Sequence, residues 1–131
     1  MKTGKILLVE GDMTLSGVLQ AQLRDKGYVV EVQRIAEKAL EELKREWVDL
    51  LVVSTNLQGE MDFFKFIKEI KKDEGLSKIP ILIDSSKPGI RKSVEELGVE
   101  GFLEKPFTVE DFEEKVEEIL SQREQFNMDE M

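Results

Sequence analysis

Short apolar runs alternate with amphipathic segments five times along this chain of 131 residues. The runs occupy positions 6–9, 28–32, 48–53, 79–83 and 101–104, and apolar residues at helical spacing follow each of them. Short apolar runs that stop at polar residues are typical of buried parallel strands. The alternation therefore predicts an α/β fold with five parallel strands and with helices on both faces of the sheet.

The expected architecture is a flavodoxin-like (βα)5 three-layer sandwich with the strand order 2-1-3-4-5. The first helix is predicted over 13–26, with Asp12 as its N-cap and Gly27 as its stop. Asp62 and Thr108 are predicted N-caps of the third and fifth helices, and the fourth helix is expected to be short.

The domain boundary is predicted near the carboxyl end of the chain. Residues 1–124 are expected to form one domain, which suits a chain of this length. The apolar period is lost in the tail, and residues 125–131 are interpreted as a fraying helix end or the start of a linker. The sequence leaves open whether an output domain follows.

Composition removes several classes of function. The chain has 28 acidic and 19 basic residues and a formal net charge of -9, which argues against nucleic-acid binding by this domain. It contains no Cys and no His, so thiol chemistry and histidine-based catalysis or metal binding are absent. We see no signal peptide and no membrane-length apolar run, and we expect a cytoplasmic location.

In an open parallel sheet, ligands bind at the carboxyl ends of the strands where the strand order reverses. Strands one and three flank that point in the predicted order. We therefore expect Glu10, Gly11 and Ser54 to share one pocket.

Three stretches resemble the receiver domain of two-component response regulators, and the resemblance spans roughly residues 5–120. They are KILLVE at 5–10, DLLVVS at 49–54 and GVEGFLEKPF at 98–107, of which the last is the most specific. In that family, acids after strand one hold Mg²⁺, and an Asp at the end of strand three accepts a phosphoryl group. A hydroxyl, a lysine and an aromatic residue on the last strands then respond to the phosphoryl group.

The resemblance assigns these roles to positions in the present chain. Lys105 and Ser85 match the phosphoryl-binding residues, and Phe102 matches the switch aromatic. Glu10 matches the first acid, and Asn56 matches the position that offers its backbone carbonyl to the metal. The resemblance also implies a cis peptide bond before Pro106.

Two positions that carry acidic residues in the family carry other residue types in this chain. Gly11 falls where the second metal-binding acid is expected, and Ser54 falls where the phosphoacceptor is expected. The degenerate phosphorylation pocket thus comprises Glu10, Gly11, Ser54, Asn56, Ser85 and Lys105. We predict a pseudo-receiver that is not an enzyme, with no catalytic residue, no cofactor and weak or absent Mg²⁺ binding, since Mg²⁺ prefers carboxylate ligands.

Two other functions are weighed against this one. Phosphorylation on Ser54 requires a general base, and the chain has no His for that role. A flavin or nucleotide site requires a glycine-rich loop after strand one, where Glu10-Gly11-Asp12 offers one glycine between two acids.

Single residues also have simpler structural interpretations. Lys105 is expected to be an ion-pair partner of Glu10 or Asp84. Asp84 has two interpretations, a carboxylate that replaces the metal charge by local pairing and, as the simpler one, a partly solvated strand end. Phe102 is expected to be packed rather than to move. An exposed Phe64 would indicate a partner site.

Signalling is expected to proceed through protein contacts, and the family resemblance points to a bacterial protein of motility or gene regulation. Receivers commonly pair through the face formed by the fourth helix, the fifth strand and the fifth helix, which implies a protein partner or a homodimer here. The candidate interface consists of Ile90, Arg91, Val94, Glu95, Phe102, Glu104, Asp111 and Lys115.

Overall fold

Five strands and five helices alternate along the chain. The computed structural model describes residues 4–129, and it describes the side chains of residues 4–122. The strands are β1 (Lys5–Val9), β2 (Val29–Gln33), β3 (Leu50–Ser54), β4 (Ile81–Ser85) and β5 (Gly101–Glu104). The helices are α1 (Met13–Asp25), α2 (Ala36–Arg45), α3 (Phe63–Lys72), α4 (Arg91–Glu95) and α5 (Val109–Asp129).

The strands form one parallel sheet in the order β2-β1-β3-β4-β5, which confirms the predicted topology. Side chains alternate across a sheet, so each interior strand contributes to two cores. One core lies under α2, α3 and α4 and includes Phe66 and Ile83. The other lies under α1 and α5 and includes Phe112 and Leu82. The two helical layers are therefore on opposite faces of the sheet.

The predicted helix caps are present. Asp12 and Asp62 each accept a hydrogen bond from the backbone N–H three residues later, at 3.0 and 2.8 Å. Thr108 Oγ1 accepts from the N–H of Asp111 at 3.0 Å, and Asp111 Oδ2 accepts from the N–H of Thr108 at 3.4 Å. These bonds satisfy amide groups that have no partner inside the helix.

The predicted position of β4 is wrong by two residues. The strand runs over Ile81–Ser85 rather than 79–83, because Asp84 pairs with Ser54 on β3 and Ser85 pairs with Glu104 on β5. β2 likewise begins one residue later than predicted. The shift in β4 places Asp84 and Ser85 inside the sheet, beyond the predicted end of the strand.

α5 continues through the predicted domain boundary after residue 124 and reaches Asp129. The assignment of residues 125–131 to a tail or linker stays a prediction, and residues 1–3 and 130–131 lie outside the described residues. Within the described part of the chain, no helix is long and apolar enough to cross a membrane.

Candidate functional site

The carboxyl ends of β1, β3 and β4 bring three polar residues together. Ser54 and Asp84 are direct partners in the parallel ladder, and Glu10 follows β1 on the other side of β3. Paired residues on adjacent strands point to the same face of a sheet. The carboxylate of Asp84 therefore lies on the same face as the Ser54 hydroxyl, one strand further along.

Lys105 lies between two buried carboxylates. Its Nζ is 3.2 Å from Glu10 Oε1 and 3.2 Å from Asp84 Oδ1. Glu10 is fully buried and Asp84 is 1% exposed. The predicted ion pairing of Lys105 is confirmed with both acids. We call Lys105, Glu10 and Asp84 the buried ion triad. The interpretation of Asp84 as a partly solvated strand end is wrong, because β4 extends beyond it into the sheet.

The buried ion triad perturbs the titration of its members. Burial raises the pKa of Asp84 to about 6, against the opposing effect of the Lys105 charge, and the negative charge of Glu10 adds to the rise. Burial tends to lower the pKa of Lys105, but Asp84 and Glu10 together outweigh it and the pKa is raised. Lys105 is therefore charged at neutral pH.

A backbone contact closes the space beside Glu10. The N–H of Gly11 donates to the carbonyl oxygen of Asn56 at 2.8 Å, and Gln58 Nε2 donates to the carbonyl oxygen of Gly11 at 3.1 Å. A Cβ on Gly11 would lie 2.5 Å from the Asn56 oxygen. We call this contact the Gly11–Asn56 latch, and it leaves no room for a side chain at position 11.

The groups that the family resemblance assigns to Mg²⁺ are engaged within the protein. Glu10 Oε1 contacts Lys105, and Glu10 Oε2 accepts from the N–H of Asp12 at 3.3 Å. The Asn56 carbonyl accepts from Gly11. Magnesium is usually bound by one or two carboxylates in a nearly octahedral set of oxygens. The oxygens that the resemblance assigns to the metal are thus already engaged within the protein. Among the side chains described here, no group of three His, Cys, Asp or Glu residues is placed to hold a metal ion.

The hydroxyl groups of the pocket are also engaged. Ser54 Oγ accepts from the N–H of Asn56 at 3.1 Å, and Ser85 Oγ lies 2.7 Å from Thr55 Oγ1. Ser85 Oγ accepts in addition from the N–H of Lys87 at 3.0 Å. Ser54 and Ser85 are both fully buried. Both hydroxyl groups are thus buried and hydrogen-bonded within the protein.

An open cavity of about 700 Å³ lies above these buried groups. Of the six predicted pocket residues, only Asn56 and Lys105 line it. Much of the remaining wall comes from Leu15 and Val18 on α1 and from Lys87 after β4, which sequence reasoning missed. The sequence indicated these cavity residues only weakly, through their position within a turn or two of predicted strand ends.

Phe102 is half-buried, and the Arg91 guanidinium lies 4.8 Å from the centre of its ring. Arg91 also pairs with Glu95 at 3.7 Å. Val94 is fully buried in the core, so its place in the candidate interface is wrong: the inner face of α4 turns it away from the surface. Phe64 is half-buried against Phe63, so it is not the exposed aromatic that would have indicated a partner site.

The other members of the candidate interface lie at least partly on the surface. Glu104 and Asp111 are exposed, and Ile90 and Lys115 are half-buried. Lys115 pairs with Glu118 at 3.3 Å. Their use as an interface stays a prediction.

Comparison with known proteins gives consistent matches. Residues 6–117 match the sequence profile of the response regulator receiver domain. The chain is 31% identical over 123 residues to the chemotaxis protein CheY-3 of Vibrio cholerae, covering 91% of this chain and 93% of that protein. It is 30% identical over 105 residues to the probable transcriptional regulator ycf29 of Pyropia yezoensis, covering 79% of this chain but only 47% of that relative.

Solved structures show the same likeness. The signal receiver domain of a signal transduction histidine kinase from Syntrophus aciditrophicus matches with a TM-score of 0.82 and 28% identity. The match covers 91% of this chain and 91% of that chain. The backbone architecture and the strand order are thus shared with a protein of similar length.

Proposed function

This chain belongs to the response regulator receiver domain family, and on that premise we propose that it is a pseudo-receiver, a signalling module that binds proteins without control by phosphorylation. The buried ion triad is the observation that carries the proposal. Lys105 is occupied by Glu10 and Asp84, while a serine stands at position 54. The cation that would bind a phosphoryl group is therefore already neutralised by the protein's own carboxylates.

Both halves of the phosphorylation chemistry lack their residues in this proposal. A carboxylate is ionised at neutral pH and attacks without a base, whereas the Ser54 alcohol needs one. The carboxylate beside Ser54 is that of Asp84, and it is held in an ion pair by Lys105. The Gly11–Asn56 latch occupies the region of the second metal ligand, and we therefore propose that Mg²⁺ binding is weak or absent.

What remains is a surface for protein partners. We place it on the α4-β5-α5 face, which now comprises Ile90, Arg91, Glu95, Phe102, Glu104, Asp111 and Lys115. This face mixes both signs of charge around half-buried apolar residues, as transient interfaces do. Reversing the charges of Arg91 and Lys115 is expected to weaken partner binding or self-association through this face.

The names of the relatives bear on the process. CheY-3 is named a chemotaxis protein and ycf29 a probable transcriptional regulator, so motility and gene regulation are both carried over as proposals. The chain spans about half the length of ycf29. An output domain is therefore part of the gene-regulation proposal and not of the motility proposal. We also propose a cytoplasmic location and no nucleic-acid or membrane partner for this domain.

A backbone amide NMR titration tests the proposal. Mg²⁺ is added first and beryllofluoride second, and the amides of Glu10, Ser54, Ser85, Phe102 and Lys105 are followed. We expect these amides to stay in place up to millimolar concentrations. Concerted shifts that include Phe102 would overturn the proposal, because they would show a working phosphoryl site.

The same sample distinguishes the alternative of phosphorylation on Ser54. The protein is incubated with a small phosphodonor, and its intact mass is measured. We expect no adduct, since the Ser54 hydroxyl is fully buried. A phosphate adduct that disappears in Ser54→Ala would favour the alternative.

A further inference from the structure

The outer face of α3 is basic in an acidic protein. The helix carries four lysines and one glutamate. Phe66 and Ile70 point into the core, whereas Lys65, Lys68 and Lys72 are exposed on the opposite side of the helix. Their spacing of three and four residues places them in one row. We call this row the α3 lysine stripe.

The outer face of α5 is acidic. Between residues 109 and 122 the helix carries six acids and one lysine. Asp111, Glu114 and Glu118 are exposed and have the same spacing of three and four residues. We call this row the α5 acid stripe.

The two stripes cannot meet within one copy of the chain. α3 packs, together with α2 and α4, on the core on one face of the sheet. α5 packs on the core on the opposite face. Among the residues whose side chains are described, Lys65, Lys68 and Glu114 form no ion pair. Lys72 pairs only with its neighbour Glu69 at 3.5 Å. Glu118 pairs with Lys115 at 3.3 Å, and Asp111 accepts from the N–H of Thr108 at the start of α5. Among the side chains described, Lys65 and Lys68 on one stripe and Glu114 on the other are therefore available to another molecule.

We propose that the α3 lysine stripe of one copy binds the α5 acid stripe of a second copy. Charge complementarity and the matched spacing of three and four residues support this occupant. A chain with a net charge of -9 repels its copies in most orientations, and α3 offers a strongly positive surface that reverses the repulsion locally. The contact is head-to-tail, since two different faces meet, and it does not close by a two-fold axis.

The association is weak and depends on salt. Exposed ion pairs each contribute little, and their attraction is screened over about 10 Å at 0.1 M salt. We expect the apparent dissociation constant to rise at least about tenfold between about 50 mM and about 500 mM salt. This inference goes beyond the proposed function, because it concerns a surface away from the pocket and needs no statement about phosphorylation.

Sedimentation equilibrium of the full chain tests the contact. We expect the weight-average mass to rise with concentration at low salt and to approach that of the monomer at high salt. The triple variant Lys65→Glu, Lys68→Glu, Lys72→Glu should stay monomeric at low salt. The control Arg34→Glu, Lys87→Glu, Lys92→Glu makes the same change of net charge at exposed positions off the stripe, and it should associate like the wild type or at most a few-fold more weakly.

A charge exchange removes the remaining ambiguity. The variant Glu110→Lys, Glu114→Lys, Glu118→Lys makes α5 basic and leaves the Asp111 cap intact. Each triple variant alone should be monomeric, whereas their mixture should associate at low salt. A mixture that stays monomeric would overturn the inference, as would a wild type that is monomeric at low salt. Self-association that survives the α3 variant would instead place the contact on another face, such as α4-β5-α5.

Discussion

Lys105 balances two buried carboxylates at once, and no single acid in the triad is balanced by a cation of its own. Burying a charge is costly unless it is paired, and removing one partner of a buried pair leaves the other uncompensated. At the residue scale, the stability of this site therefore depends more on Lys105 than on either acid.

Lys105→Met is expected to destabilise the protein by roughly 3–5 kcal/mol at pH 7, since Glu10 and Asp84 would then face each other without a cation. Urea unfolding measures the loss. Lys87→Met is the matched control, because Lys87 lies at the same cavity but is exposed and forms no ion pair among the described residues. A loss of less than about 1 kcal/mol in Lys105→Met would contradict the buried ion triad.

Asp84 makes a second prediction, in pH dependence. Its pKa in the folded protein is about 6, above the ordinary value of 3.8. The folded state therefore binds more protons than the unfolded state between these values, and the stability that Asp84 contributes falls as pH rises through about 6. The shift corresponds to about 3 kcal/mol at most.

Asp84→Asn removes that dependence. The variant is expected to be more stable than the wild type by roughly 1–3 kcal/mol at pH 8, and the two should converge near pH 4. Urea unfolding across this range gives the comparison, and Asp25→Asn on the exposed end of α1 provides the control. A variant that is less stable at pH 8 would show that the ion pair outweighs the cost of burial.

At the scale of elements, the turn after β1 and the loop after β3 are built as one unit. The Gly11–Asn56 latch joins them through the backbone, and Gln58 adds a side-chain bond to the same glycine. A side chain at position 11 would need space that the loop after β3 occupies.

Two glycines test this packing against each other. Gly11→Ala is expected to cost roughly 1–3 kcal/mol, because its Cβ would meet the Asn56 oxygen at 2.5 Å. Gly17→Ala on α1 is expected to stabilise by about 1 kcal/mol, since no heavy atom lies within 4 Å of its Cβ and alanine favours the helix. Denaturant unfolding of both variants decides the matter. Similar effects of the two substitutions would show that the latch has freedom to move.

The sequence pattern predicted the helices and strands well where the local sequence determines them. The apolar run of β3 and the cap residues Asp12 and Asp62 have local causes, so a local pattern finds them. The end of β4 has no local cause. Asp84 belongs to the strand because its backbone pairs with Ser54, and that pairing is visible only once the sheet is assembled.

At the scale of the whole molecule, the same distinction between local and assembled structure explains which features of the site the sequence predicted. The resemblance located Glu10, Ser54 and Lys105, and the strand order predicted that they converge. Single-residue reasoning named Asp84 as one of two possible partners of Lys105, but it did not reveal that Asp84 is buried beside the serine, one strand away. The positive charge of Lys105 is thus held by one acid after β1 and one acid on β4, while the strand between them carries a serine.

The assembled site makes a final prediction about its repair. Ser54→Asp alone would place a third buried carboxylate beside Lys105, and we expect a loss of roughly 3 kcal/mol or more at pH 7. Adding Asp84→Asn should restore most of that stability, because two carboxylates again share one cation. Neither protein is expected to show concerted amide shifts with Mg²⁺ and beryllofluoride, since the Gly11–Asn56 latch still blocks the second metal ligand. If the double variant does respond at micromolar Mg²⁺, the missing carboxylate alone explains the silent pocket, and the latch is no barrier to the metal.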